Sequence, residues 1–247
     1  MKLAPEKSQF LVMDRARDPV IPELRLNGTH LVPIKVVRDL GVQVSADRGE
    51  GHHAVSVAFR AMKLSNLICR TLRTRNLDIY RKAFVTLVRP TLDYASQVWS
   101  PGLVQDVNTI EHVQRAYTRR VFFKCALGRM RYPARIGLMN LGTLEERRIR
   151  SDLALVYKVL NNLVSLPEGA LFRRPVRQAT GGNRNHPLKI QSVVPCWDES
   201  AKNFFSNRVV AAWNCLPRAI VMAPSLSTFN RLLNNHDLRD TYVSKIR

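Results

Sequence analysis

The sequence predicts a mostly helical α+β protein with a small β element at its N-terminus. Two patterns indicate this fold class. Residues 10–45 are short apolar runs separated by turn dipeptides, whereas from residue 53 onward apolar residues recur at steps of three and four, the spacing of one helical face. The chain has 247 residues, 45% of them apolar, so it can form a packed core.

The N-terminal strands are predicted from apolar runs and the turns between them. Phe10 to Met13 is one such run, and Pro19 to Asn27 alternates before Asn27-Gly28, a dipeptide typical of two-residue hairpin turns. A second β-rich segment runs from Ile34 to Val44 and is interrupted at Leu40-Gly41. We therefore expect short hairpins in this part of the chain.

Helical periodicity follows a polar break at residues 45–51. The predicted helices lie near 53–73, 77–99, 104–126, 144–163, 200–215 and 225–235. Asn76 is a capping residue before the second helix, and Thr143 with Glu146 forms a capping box before the fourth. The proline- and glycine-containing range 165–199 predicts a loop, which a protease should cut first near Arg173, Arg174, Arg177 or Arg184. The predicted units are 1–48 with hairpins, 49–130 helical, and 131–247 basic and helical around that loop.

The second predicted helix contains Arg89-Pro90, which is unfavourable in a helix interior. Proline lacks a backbone donor and clashes with the carbonyl four residues back, at a cost of about 3 kcal/mol. Either the proline bends one long helix, or the helix ends there and a second one begins. Both alternatives place Tyr94 and Trp99 in the core.

The large positive charge of the chain indicates which partners it can bind. Lys and Arg number 39 against 19 Asp and Glu, a formal net charge of +20. Such an excess is self-repulsive unless a polyanion neutralises it, so nucleic acid is the first candidate partner and an anionic membrane surface the second. No run approaches the ~18 apolar residues of a membrane span. The first residues lack the apolar stretch of a signal peptide, and we expect a nuclear or cytoplasmic location.

The predicted helix 104–126 carries the sharpest basic pattern. Its apolar side holds Val107, Ile110, Tyr117 and Val121, with Arg115 and Arg119 opposite and Arg120 and Lys124 as a second pair four residues apart. From residue 115 to 150 there are ten basic residues against two acids. Tyr117 and Tyr132 are candidate stacking faces, and a merely solvated helix face is the alternative interpretation. The predicted phosphate-binding residues are Arg115, Arg119, Arg120, Lys124, Arg129, Arg131 and Arg135.

Catalytic and metal-binding patterns are not found in the sequence. It contains no Asp-Asp pair, HExxH, Gly-rich phosphate loop or GxSxG motif. The cysteines are Cys69, Cys125, Cys196 and Cys215, and none are spaced as CxxC. Reduced, mostly buried thiols are favoured over a zinc site shared with His186 or His236. His52-His53 is interpreted as a surface or helix-start feature rather than as a pair of metal ligands, and no catalytic or metal-binding residue is predicted.

Five blocks of the sequence, taken in order, carry a resemblance to a known family. They are VRPTLDYASQVWSP (88–101), IEHVQRAYTRRV (110–121), LMNLGTLEERRIRSDLALVYKVL (138–160), FFSNRVVAAWNCLP (204–217) and APSLSTFNRLL (223–233). They resemble reverse transcriptases of non-LTR retrotransposons, the LINE-like elements of the jockey and chicken-repeat kind, in which the first block lies downstream of the polymerase core. Upstream, LAPEKSQFLVM (3–13) resembles the end of the palm, and IKVVRDLGVQV (34–44) resembles a hairpin that carries Leu-Gly-Val.

The resemblance implies a C-terminal fragment of an RNA-directed DNA polymerase. Residues 1–48 would end the palm, 49–130 would form the thumb, and 131–247 would form the basic C-terminal region. In that family the thumb tracks the template–primer duplex and the C-terminal region helps to hold element RNA. The expected partners are RNA, RNA–DNA or DNA duplexes, and the missing palm and endonuclease parts, with no membrane involved.

The resemblance also implies that this chain is inactive as an enzyme alone. The family binds Mg²⁺ through paired aspartates of the palm, which would precede residue 1, so no cofactor is expected on this chain. The stretch SADRGEGHH after Leu-Gly-Val departs from the family pattern and puts the first packing contact of the thumb in doubt. The alternatives are a stand-alone nucleic-acid-binding protein derived from such an element and an inactive remnant.

Overall fold

The computed structural model describes residues 4, 8–13, 21–46, 51–167, 169–173, 186–196 and 199–238. The chain is a mostly helical α+β protein, about 56% helical with a few short strands, which confirms the predicted fold class. Within the described residues, no helix combines the length and the apolar character that crossing a bilayer requires.

Two hairpins lie near the N-terminus, where the sequence predicts them. The antiparallel strand pairs are β1 (Arg25–Leu26) with β2 (Thr29–His30) and β3 (Val36–Asp39) with β4 (Val42–Ser45). Their turn residues have positive φ, 51° and 80° at Asn27-Gly28 and 44° and 90° at Leu40-Gly41, a backbone whose twist matches paired strands. The apolar run at Phe10 forms only an isolated bridge to Pro33 within the described residues.

The helices follow the predicted order with some divisions. The first group comprises α1 (Gly51–Thr71), α2 (Leu77–Ala83), a π-helical turn (Phe84–Val88), α3 (Arg89–Asp93), α4 (Ser96–Trp99) and α5 (Val104–Lys124). The second comprises α6 (Tyr132–Leu138), α7 (Leu144–Leu160), α8 (Glu199–Asn203), α9 (Phe205–Cys215), α10 (Arg218–Val221) and α11 (Leu226–Asn235). Asn76 and Thr143 cap α2 and α7 through their side chains, as predicted. The short helices α6 and α10 were not predicted.

The helix passes through Pro90 instead of ending there. The π-helical turn before the proline is closed by the Arg89 N–H, which donates to the Phe84 carbonyl five residues back. Pro90 then lies in the first turn of α3, where the missing donor is least costly. The helical path breaks later, at Ala95, whose φ is 50°.

Trp99 belongs to the core as predicted, but the prediction for Tyr94 is wrong. Trp99 is 2% exposed, and its Nε1–H donates to the Tyr94 carbonyl at 2.7 Å. The Tyr94 side chain is 59% exposed, and its hydroxyl donates to the Leu40 carbonyl at 3.0 Å. Tyr94 is the residue at which α3 ends, and its ring lies beside the hairpin turn, 3.4 Å from where a Cβ on Gly41 would be.

Two apolar clusters make up the core, and α7 joins them. The first packs α1, α2, α3 and α5 around fully buried rings such as Tyr80, Phe84 and Tyr117. The second packs α7, α9 and α11 around Trp213 and Phe229. The first cluster extends past residue 130, since Met139, Leu141 and Leu144 belong to it.

The range 165–199 is mostly irregular where it is described, but it is anchored. β5 (Phe172–Arg173) pairs with β6 (Gln191–Ser192), and Phe172 and Ile190 are buried in the second cluster. The sequence prediction missed this anchoring because two isolated apolar residues carry no periodicity. Arg173 is exposed, whereas Arg174, Arg177 and Arg184 lie outside the described residues.

Candidate nucleic-acid interface

The two long helices α1 and α5 lie side by side and run parallel. A Cβ on Gly51, where α1 begins, would lie 3.2 Å from the Asp106 carboxylate in the first turn of α5. At the other end, Lys124 Nζ donates to the carbonyls of Cys69 and Leu72, where α1 ends. An acid at the start of α1 and a cation at its end both suit the helix dipole. Lys124, predicted to bind phosphate, therefore caps a helix.

The predicted phase of α5 is confirmed. Val107, Ile110, Tyr117 and Val121 are all buried, and Arg119 is exposed on the opposite side. Arg115 is half-buried because its guanidinium carbon lies 5.1 Å from the centre of the Tyr132 ring. Arg120 is exposed, and its Nη1 donates to the Asn66 side chain of α1.

Arg135 is directed inward, towards the chain. Its three nitrogens donate to the Thr118 hydroxyl at 3.2 Å, the Met130 carbonyl at 2.8 Å and the Arg115 carbonyl at 3.3 Å. Burial is the first cause that lowers the pKa of Arg135, and repulsion from Arg119 lowers it further. Arg135 therefore fixes the segment between α5 and α6. Because Arg119 and Arg115 lie close to Arg135, the binding of an anion near these three arginines would reduce their mutual repulsion. Arg129 and Arg131, which lie in the part of this segment next to α6, are exposed.

Neither predicted stacking tyrosine is available to a ligand. Tyr117 is fully buried, and its hydroxyl donates to the Tyr80 carbonyl at 2.8 Å. Tyr132 is half-buried under the guanidinium groups of Arg115 and Arg135, and its hydroxyl donates to Glu111. The expectation of stacking at Tyr117 and Tyr132 is thus wrong, because both rings are used in packing.

Glu111 holds α6 and α7 against α5. It is fully buried, accepts from the Tyr132 hydroxyl, and accepts from the Leu144 N–H at 2.9 Å, where α7 begins. Gln114 adds hydrogen bonds to Tyr132 at 2.8 Å and to the Gly142 carbonyl at 2.9 Å. Burial raises the pKa of Glu111 above its ordinary value of 4.5, and the two hydrogen bonds oppose that rise.

The raised pKa of Glu111 predicts how Glu111→Gln changes the pH dependence of stability. Folded protein retains the Glu111 proton at a pH where unfolded chain has lost it, so this group makes the unfolding free energy fall as pH rises above about 4.5. Glu111→Gln keeps an oxygen acceptor and removes the titration, so its stability relative to wild type should improve with pH. Chemical denaturation between about pH 4 and 7 measures this difference. Glu23→Gln, at an exposed site, is the control; parallel curves for wild type and Glu111→Gln would contradict the prediction.

Two further arginines of the 115–150 run, Arg147 and Arg150, take part in internal ion pairs. Arg147 Nη2 lies 2.7 Å from an Asp93 oxygen, and Arg150 pairs with Glu146 and donates to the Leu233 carbonyl. Arg148 is 4% exposed, and burial lowers its pKa. Asp93, the partner of Arg147, lies outside the 115–150 run, so a count within that run overstated the free charge.

A second basic site, missed by the sequence prediction, lies beside the β3–β4 hairpin. Arg38 and Arg60 line a groove of about 450 Å³ together with Tyr94 and His53. His53 is 1% exposed, and its Nδ1 accepts from the Gln43 N–H at 3.0 Å. Burial lowers the pKa of His53, and both arginines lower it further. The two arginines are 22 positions apart, so local spacing gave no signal for this groove.

Metal-ligand geometry is not seen in the described part of the chain, where no three His, Cys, Asp or Glu side chains group together. All four cysteines are free. Cys69 and Cys125 are buried as expected, whereas Cys196 and Cys215 are exposed.

Comparison with known proteins identifies one protein of low sequence similarity. Over 132 residues, 53% of this chain and 67% of the other, the sequence is 24% identical to the uncharacterized protein B0403.1 of Caenorhabditis elegans. No protein-family model and no solved structure matches the chain. This similarity transfers no activity, because the relative is itself uncharacterized.

Proposed function

We propose that this chain binds nucleic acid through exposed arginines at the end of α5 and in the segment that follows it. This surface, called the distal basic surface, consists of Arg119, Arg120, Arg129 and Arg131. All four are exposed, and within the described residues the only hydrogen bond from these side chains is that of Arg120 to Asn66. The observation that carries the proposal is the charge of this stretch, which has no acid between Glu111 and Glu145.

Phosphate is the chemistry that fits this surface. A guanidinium offers a planar pair of N–H donors to two phosphate oxygens, and each contact releases counterions from the nucleic acid. The inward-facing Lys124 and Arg135 hold α1, α5 and α6 in place, so the exposed arginines project from a fixed frame. Contacts of this kind position a nucleic acid without reading its bases.

The class of nucleic acid is proposed from the sequence blocks that resemble reverse transcriptases of non-LTR retrotransposons. In that setting the distal basic surface would hold element RNA or the template–primer duplex, in the nucleus or cytoplasm. The paired aspartates and Mg²⁺ would belong to another part of the parent protein. An in-frame [FY]-x-D-D motif upstream in the gene would support this assignment over a stand-alone binder or an inactive remnant.

Replacing Arg119 and Arg131 together with Gln should weaken binding by roughly 30-fold at 0.1 M salt, since each phosphate contact contributes about 0.7–0.9 to the slope of log affinity against log salt. The slope should flatten by nearly two units and base preference should not change. Salt titrations on one labelled RNA–DNA duplex measure both quantities.

The matched control is Arg218→Gln with Arg231→Gln, which removes the same charge from exposed positions on α10 and α11. Equal slopes for the two double variants would mean that binding follows net charge and not this surface.

A further inference from the structure

Phe123 is the most exposed large apolar side chain in the described part of the chain, at 87%. It lies in the last turn of α5, between buried Phe122 and half-buried Lys124. A single exposed apolar residue is common on protein surfaces and by itself indicates nothing. The surroundings of Phe123 distinguish it.

Two arginines of the distal basic surface flank Phe123. Arg119 and Arg120 precede it by four and three residues, and side chains at these spacings are neighbours on a helix, with about 5–6 Å between Cβ atoms. Arg129 follows five residues after α5 ends at Lys124. The Phe123 ring is therefore placed among exposed guanidinium groups, with no acid in the surrounding sequence.

Two other exposed aromatic rings among the described residues, those of Phe59 and Tyr94, are engaged by the chain. Lys63 Nζ lies 4.4 Å from the centre of the Phe59 ring, and the Tyr94 hydroxyl is tied to the Leu40 carbonyl. Phe123 makes no ring-stacking or cation–π contact with any described residue. Both faces of its ring are open to a ligand.

We propose that Phe123 is a stacking platform for an unpaired base, with the flanking phosphates bound by Arg119 and Arg120. Aromatic rings flanked by cations are the usual means of binding single strands, because every base presents a π face once it is unpaired. Bases inside a blunt duplex are stacked on one another and cannot reach the ring. The ligand class is single-stranded RNA or DNA, including an overhang beside a duplex; this inference rests on the proposed function and narrows its substrate.

The test compares Phe123→Ala and Phe123→Trp on two probes, a single-stranded RNA oligonucleotide and a blunt RNA duplex of the same length. Phe123→Ala should weaken single-strand binding roughly five- to hundredfold, the range for losing one stacked base. It should leave the salt slope and the duplex affinity unchanged, and Phe123→Trp should retain single-strand binding. A 2-aminopurine in the single strand should be quenched by wild type and not by Phe123→Ala.

Phe59→Ala is the control, since it removes an exposed ring from α1. An equal loss on both probes, or no loss on either, would overturn the stacking proposal and leave Phe123 as a contact for a protein partner. Wild-type binding to neither probe would overturn the proposed function as well. Single-strand binding that depends on Arg119 but is unchanged in Phe123→Ala would retain the proposed function and reject stacking.

Discussion

Replacing Arg208 with Met is expected to lower the free energy of unfolding by about 3–5 kcal/mol, the cost of leaving a buried charge without its partner. Arg208 Nε and Nη2 lie 2.9 Å and 3.1 Å from the two carboxylate oxygens of Asp152, which is 4% exposed. Arg208 also donates to the Gln97 carbonyl at 2.7 Å and to the Asn203 carbonyl at 2.8 Å. The Arg208 side chain, which belongs to α9, thus contacts α4, α7 and the end of α8.

The pH dependence of the unfolding free energy shows whether Arg208→Met acts by leaving the Asp152 charge unpaired or by disturbing packing. Burial raises the pKa of Asp152 in wild type, and the Arg208 charge opposes that rise. Without Arg208 the pKa should rise further, so the folded state binds a proton that the unfolded state has released. The unfolding free energy of Arg208→Met should therefore increase as pH falls towards the ordinary range of Asp, narrowing the gap to wild type.

A double-mutant cycle with Asp152→Leu completes the test by chemical denaturation. The double variant should recover much of the loss, because a buried ion pair replaced by apolar groups is often nearly neutral. Arg231→Met, at an exposed position, is the control and should change stability little. A loss below about 1 kcal/mol for Arg208→Met would mean that water reaches Asp152.

Periodicity accounts for what the sequence predicted well. The helical phase of α5 follows from spacing alone, and the caps at Asn76 and Thr143 follow from the residue types that precede a helical pattern. Spacing could also have indicated Phe123, which follows Arg119 by four residues on the exposed face. The sequence pattern favoured Tyr117 and Tyr132 as stacking faces instead, because tyrosine is more often half-exposed than phenylalanine.

Other features could not be predicted because they depend on distant partners. Lys124 and Arg135 have long side chains. Whether these turn to solvent or to a carbonyl depends on where α1 ends and on the path of the segment before α6. The path through Pro90 required a π-helical turn that no residue pattern specifies. The α6 and α10 helices span seven and four residues, too few for an apolar repeat to emerge.

Trp213→Ala is expected to lower the free energy of unfolding by about 3–5 kcal/mol through the cavity it leaves in the second cluster. Trp213 is fully buried, its ring lies 6.0 Å from that of Phe229, and its Nε1–H donates to the Leu188 carbonyl at 2.8 Å. The backbone carbonyl of Trp213 is also 3.0 Å from His186 Nε2.

These contacts hold segment 186–190 against α9. Trp213→Ala should therefore expose this segment to proteolysis in addition to lowering the free energy of unfolding. Trypsin should cut wild type first at exposed Arg173, whereas Trp213→Ala should add early cleavage at Lys189, which is half-buried in wild type. Cys215→Ala, exposed on the same helix, is the control. A loss of stability in Trp213→Ala without cleavage at Lys189 would contradict the local part of this prediction. The segment would then be held by other contacts, such as the two hydrogen bonds between the Asn214 side chain and the backbone of Ile190, at 3.0 Å and 2.9 Å.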